Sequence, residues 1–218
     1  MPFSQIQQLL TQGLLESLYM LIATTVLSYA LGLPLGILLF HCSPNGLKPQ
    51  ALLYKTLSLV VNILRSVPFL ILMVYVIPLT RAIAGTSIGP TAAVIPLTLS
   101  AFPFIGRLVE SSLREVPTGI IDAARSMGAS DRQILWDVLL SEARPSILSG
   151  GIIAAVNIIS YSAMAGFIGG GGLGSIAINY GYNRYNTEVM TWTVILIVIL
   201  VQLIEGLGHR LLKKINKY

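Results

Sequence analysis

Apolar residues fall into five long runs, at about 14–40, 57–79, 89–113, 146–168 and 188–211. Each can supply the roughly 20 helical residues, at about 1.5 Å of rise apiece, that cross a bilayer. The second run is the least regular. Arg65 and Arg81 bracket only RSVPFLILMVYVIPLTR, with Pro68 and Pro78 inside it, so TLSLVVNIL must lead in to make up the length. The pattern predicts an all-α integral membrane protein of five transmembrane helices, with residues 1–218 as a single domain.

One polar stretch interrupts the pattern. Between the third and fourth runs lies a loop of about 118–145 that contains DAARSMGASDRQILWDVLLSEARP. Pro117 is followed by Thr118, which can cap a helix over about 119–127. Gly128 suits the left-handed residue that ends such a helix. Ser130 and Gln133 have the spacing of a capping box, which starts a second helix over about 131–140. Pro145 precedes the fourth run. Ala123, Ala124 and Gly128 are small enough to let another surface come close, and Ile134, Leu135, Val138 and Leu139 form an apolar face.

Composition agrees with a chain largely in lipid. It is 54% hydrophobic and 11% charged, with a mean hydropathy of +0.78, where soluble domains carry about 25% charged residues. The net charge of +5 reflects where the basic residues lie. Twelve of the fourteen Lys and Arg fall on one side: Lys48, Lys55, Arg65, Arg107, Arg114, Arg125, Arg132, Arg144, Arg210, Lys213, Lys214 and Lys217. Only Arg81 and Arg184 fall on the other. The positive-inside rule then puts the N-terminus outside and the C-terminus and the polar loop in the cytoplasm. The first residues lack Lys and Arg, and the apolar run behind them exceeds a signal-peptide core, so it is expected to be retained.

Several chemistries are excluded. Basic residues are not interleaved with aromatics, so nucleic acid is not a partner. Cys42 is the lone cysteine, no metal-ligand spacing occurs, and no nucleophile–base–orienter set exists, so no metal site and no catalytic site are expected. GGGGLG at 169–174 follows an apolar run rather than a strand and therefore reads as a flexible outer turn, with YGYNRYN packed as a lid. His41 and His209 are single residues near run ends with structural roles. Prolines and glycines recur within runs, at Gly32, Pro34, Gly36, Pro68, Pro78, Pro96 and Pro103. In lipid they imply either a bundle with an internal path or simple kinks.

The loop resembles the EAA loop of binding-protein-dependent ABC transporter permeases. Asp122, Ala123, Ala124 and Gly128 match E-A-A-x-x-x-G with Asp for Glu. Val138 and Leu140 stand at the I and L positions of the I-x-L-P element, and Ser141 replaces its proline. Beyond the loop, RSVPFLILMVYVIPLTRAIAGTSIGPTAAVIPLTLSAFPFIGRLVE and YSAMAGFIGGGGLGSIAINYGYNRYNTEVM are similar to the methionine-importer branch of that family. The resemblance implies a type I ABC importer permease fold in a bacterial inner membrane, working as a homodimer. It also implies two ATP-binding cassette subunits that hold ATP and Mg, and an extracytoplasmic methionine-binding lipoprotein. This chain itself would bind no cofactor, since it has no G-x-x-x-x-G-K-[ST] motif. The loop becomes a coupling helix seated in a cleft of the ATPase. Asp122 and Arg125 make polar contacts, Ala123, Ala124 and Gly128 allow close approach, and Ile134, Val138 and Leu140 complete the set.

A substrate path draws on the fourth run, where Asn157, Tyr161, Ser162 and Met164 add polar and soft groups. The same residues could equally serve as hydrogen-bonding glue between helices. Ser162 and Met164 diverge by about 200° on a helix, and Met164 is expected nearer the path. The substrate is expected to be methionine, L- and D-. Alternatives are a permease for another small amino acid, or a secondary transporter that does not use ATP. The latter is disfavoured by the absence of a repeat and of acids in mid-run.

Overall fold

The computed structural model describes residues 3–215. Among them all regular structure is helical: α1 Phe3–Cys42, α2 Ala51–Ser66, α3 Phe69–Tyr75, α4 Ile77–Ala84, α5 Pro90–Arg114, α6 Thr118–Ser126, α7 Asp131–Gln133, α8 Leu140–Glu142, α9 Arg144–Ala165, α10 Gly172–Ile176 and α11 Thr187–Ile215. A π-helical segment, Ile134–Leu139, joins α7 to α8, and a second, Ala177–Tyr182, follows α10. Among the described residues four helical stretches are long and apolar enough to cross a membrane, or five if the bent pair α2–α3 is one span.

The second predicted span is not one helix. It breaks at Val67–Pro68, where α2 and α3 meet at a bend of 99°. Pro68 cannot donate an amide hydrogen to Leu64 and its ring disfavours a helical Val67, so the helix ends there. Pro78 instead falls in the first turn of α4, where a missing N–H costs nothing. α1 begins about eleven residues before the predicted first run. The extra turns form because Ile6 and Leu10 bury themselves against Leu173, Ile176 and Val189.

α5 is the central post, and α1 lies along it. Close approach is set by small residues. A Cβ at Gly36 would stand 2.5 Å from the Gly106 carbonyl oxygen, and one at Gly32 would meet Ile105 and the Phe102 carbonyl at 2.8 Å. The G-x-x-x-G pair thus packs α1 on α5 within one protomer.

The glycine-rich segment is a tied turn rather than a flexible one. The Gly172 amide donates to Glu16 Oε2 at 2.7 Å, and the Leu173 amide to Ser17 Oγ at 2.9 Å. Two side chains of α1 thereby take the first amides of α10, which no carbonyl within that helix can satisfy. The Gly89 amide donates to the Gly169 carbonyl at 2.8 Å, and a Cβ at Gly174 would lie 2.2 Å from the Ala163 carbonyl oxygen. Of the tyrosines that follow, Tyr180 packs against the cluster of Leu173 and Ile176, whereas Tyr182 and Tyr185 are largely exposed.

Candidate functional site

The polar loop is a two-part helical arm. α6 ends in a Schellman turn: the Ala129 amide donates to the Ala124 carbonyl at 3.1 Å and the Gly128 amide to Arg125 at 2.9 Å. Gly128 has φ +82°, the left-handed conformation that this turn requires. α7 starts with the predicted capping box, in which the Ser130 hydroxyl accepts from the Gln133 amide and the Gln133 side chain accepts from the Ser130 amide. Thr118, expected as a cap, is instead the first residue of α6, with Pro117 at the cap position and no side-chain cap bond.

The arm packs its apolar face onto the ends of α1 and α5. Ala124, Ile134 and Leu139 are buried in one cluster with Phe40, Leu47, Ile105, Val109, Leu113 and Val116. Two of the proposed contact residues therefore turn inward: Ala124 and Ile134 serve the protomer's own packing and are closed to a partner. Val138 and Leu140 are half-buried against the same cluster. Outward lie Asp122, Ala123, Arg125 and Gly128. Two exposed residues join them that the motif does not mark, Met127 at 82% exposure and Trp136 at 54%. Trp136, two residues on from the buried Ile134, falls on the opposite side of this π-helical segment. Asp131 lies 3.7 Å from Arg125 and 3.8 Å from Lys48; such exposed pairs contribute little energy but do bias the arm's charge layout.

Above the arm, a buried acid organises the α2–α5 contact. The Glu110 side chain is only 5% exposed and accepts from Arg107 at 2.6 Å, Arg114 at 2.7 Å and the Tyr54 hydroxyl at 3.1 Å. Arg107 also donates to Ser58 Oγ, to the Ser58 carbonyl at 3.2 Å and to Asn62 Oδ1 at 3.1 Å. Arg107, Glu110 and Arg114 recur at i, i+3 and i+7, so α5 presents them on one face to α2. That spacing was visible in the sequence, but their partners on α2 were not.

The path candidates separate into three places. Ser149, Ile153, Ser160 and Met164 are exposed and lie within about 60° of one another on α9. Asn157 borders this stripe, in a cleft shared with Glu205 and His209. Ser162 points the other way: it is buried and donates to the Ile159 carbonyl at 2.8 Å. Ser162 is thus a packing residue, and the expectation that it and Met164 take opposite sides matches the geometry. Tyr161 stacks on Phe69 of α3, with ring centroids 4.9 Å apart and planes 12° from parallel.

The profile of the family described as binding-protein-dependent transport system inner membrane component matches residues 32–216. The chain belongs to this family. It is an inner-membrane component of a transport system, and the matched region contains the arm, the α2–α5 network and the α9 stripe. The chain is 48% identical over 214 residues to the probable D-methionine transport system permease protein MetI of Vibrio cholerae, covering 98% of this chain and 95% of that protein. It is 48% identical over 158 residues to the D-methionine transport system permease protein MetI of Escherichia coli K12, covering 72% of this chain and 73% of that one. Among solved structures, a chain of the MetNI methionine ABC transporter in inward-facing conformations superposes with a TM-score of 0.96 at 46% identity, covering 98% of this chain and 99% of that chain. A chain of an amino acid ABC transporter with histidines gives 0.80 at 18% identity and supports the fold alone. The fold is that of a type I importer permease.

Proposed function

We propose that this chain forms the membrane path of an ATP-driven methionine importer. The observation that carries the reading is the full-length likeness to the MetNI chain. In this reading two copies pair, and two cassette subunits bind ATP and Mg beneath them. A methionine-binding lipoprotein delivers the substrate from outside. The arm's outward residues Asp122, Ala123, Arg125 and Gly128, joined by Met127 and Trp136, form the ATPase-facing surface. The α9 stripe around Met164 and Asn157 faces the path between protomers.

Radiolabelled methionine uptake tests this in cells that express the permease with its cassette subunit and lipoprotein. Uptake is expected to require all three. Met164→Asp is expected to abolish it, since a charge within a span costs about 2.5–3.5 kcal/mol, while Met164→Ala retains part of it. Normal uptake through Met164→Asp would remove the stripe from the path.

The proposed orientation places the arm in the cytoplasm, as the basic residues favour. Cysteines introduced as Ser87→Cys and Asn183→Cys are then expected to label with an impermeant maleimide in intact cells, and a reporter fused after Tyr218 to stay cytoplasmic. Labelling of either cysteine only after lysis would reverse the topology.

A further inference from the structure

The break in the second span opens a cavity of about 330 Å³, lined among others by Arg65, Phe69, Ser100, Phe104 and Tyr161. That volume is at the small end of the range of about 300–1,000 Å³ for ligand pockets, which suits one small ligand. The Arg65 guanidinium sits 5.7 Å from the Phe104 ring centroid. Phe104 lies about 21 Å from one end of α5 and about 15 Å from the other, at 1.5 Å per residue. Arg65 is therefore level with the middle of α5, deeper than the cytoplasmic side to which the sequence assigns it, and its side chain is exposed in the single protomer. Among the described residues it makes no salt bridge and no side-chain hydrogen bond; Glu110 is already held by Arg107 and Arg114. An ionised side chain at such depth marks a functional site by default and needs a counter-charge.

The surrounding backbone supplies the opposite polarity. Arg65 is the penultimate residue of α2, whose C-terminal carbonyls form the negative end of the helix dipole. Pro68 has no N–H, so the Leu64 carbonyl loses the donor that a continuing helix would provide. A cation and electron-rich carbonyls thus border one small cavity. The rest of its lining includes Ser100 and three aromatic rings, the stacked Phe69–Tyr161 pair and Phe104. Aromatic edges favour polarizable sulfur.

We infer that this cavity holds the transported amino acid by its zwitterion: Arg65 takes the α-carboxylate, the freed carbonyls at the end of α2 take the α-ammonium, and the aromatic wall takes the thioether. The inference rests on the reading of the chain as an amino-acid permease and adds the substrate-contacting groups. Guanidinium suits the role because its planar fork binds a carboxylate through two parallel hydrogen bonds.

The test is binding of radiolabelled L-methionine to the purified permease–ATPase complex without the lipoprotein, with methioninol as competitor. Methioninol keeps the ammonium and thioether but lacks the carboxylate. The wild type is expected to prefer methionine to methioninol by roughly ten- to a hundredfold, the worth of a charge-assisted contact. Arg65→Gln is expected to weaken methionine by a similar factor and leave methioninol unchanged, which erases the preference; Arg65→Lys keeps part of it. Co-elution with the ATPase verifies that the variants assemble, and a misassembled Gln variant leaves the Lys variant to report a reduced preference. An undiminished preference in the assembled variants overturns the inference. So does a wild-type complex that binds no methionine although cells import it. Failure of cells to import methionine at all would overturn the substrate reading on which the inference rests, and the inference with it.

Discussion

Glu110→Ala is expected to lower the melting temperature of the detergent-solubilised protein by about 6–12 °C. Glu110 is buried and accepts from two guanidiniums and a phenol. Removing one member of a buried ion network costs about 3–5 kcal/mol, because the remaining charges lose their compensation. Arg114 is 40% exposed and Arg107 19%, so water recovers part of that and the loss belongs near 3 kcal/mol. For a chain of this size each kcal/mol moves the midpoint by about 2–4 °C. The double change Glu110→Ala with Arg107→Ala is expected to recover part of the loss, since it removes the less exposed orphaned cation. A shift below about 3 °C in the single variant would mean that the network does not hold α2 to α5.

Gly128→Trp is expected to abolish methionine uptake and ATPase co-purification while the protein still inserts and folds. Among the described residues, no heavy atom beyond the immediate chain neighbours lies within 4 Å of the position that a Cβ at Gly128 would take, so the protomer has room for a side chain. The left-handed backbone, φ +82°, adds about 1–2 kcal/mol of strain, too little to unfold a stable helix bundle. The remaining obstacle is a partner that approaches the turn closely. Gly128→Asn separates the two effects, because Asn tolerates the left-handed region and is much smaller than Trp. It is expected to assemble and to retain most uptake. A Trp variant that co-purifies with the ATPase and imports at the wild-type rate would remove this turn from the docking surface.

The arm illustrates how far a one-dimensional motif reaches. Ser130 with Gln133 and the glycine at 128 announced two helix ends, because caps and left-handed turns depend on residues only a few positions apart. The same local reading assigned Ala124 and Ile134 to a partner. It could not tell which small or apolar residue faces Phe40, Leu113 and Val116, which come from far along the chain. The Gly-rich turn shows the reverse error. Its composition suggested mobility, yet Glu16 and Ser17, more than 150 positions away, satisfy its amides.

Local composition and periodicity by themselves determined that the chain is helical and membrane-spanning, roughly where its spans lie, and where the polar arm interrupts them. Hydrocarbon imposes those features on short windows of sequence, through the length a helix needs and the cost of charge in lipid. Only the tertiary structure decided that the second span bends by 99°, that Ala124 and Ile134 pack inward, and that Arg65, beside a cavity, makes no salt bridge among the described residues. A helix records the periodicity of its faces but not which face meets a neighbour, and whether a charge within a span is compensated depends on groups that folding brings together from distant parts of the chain.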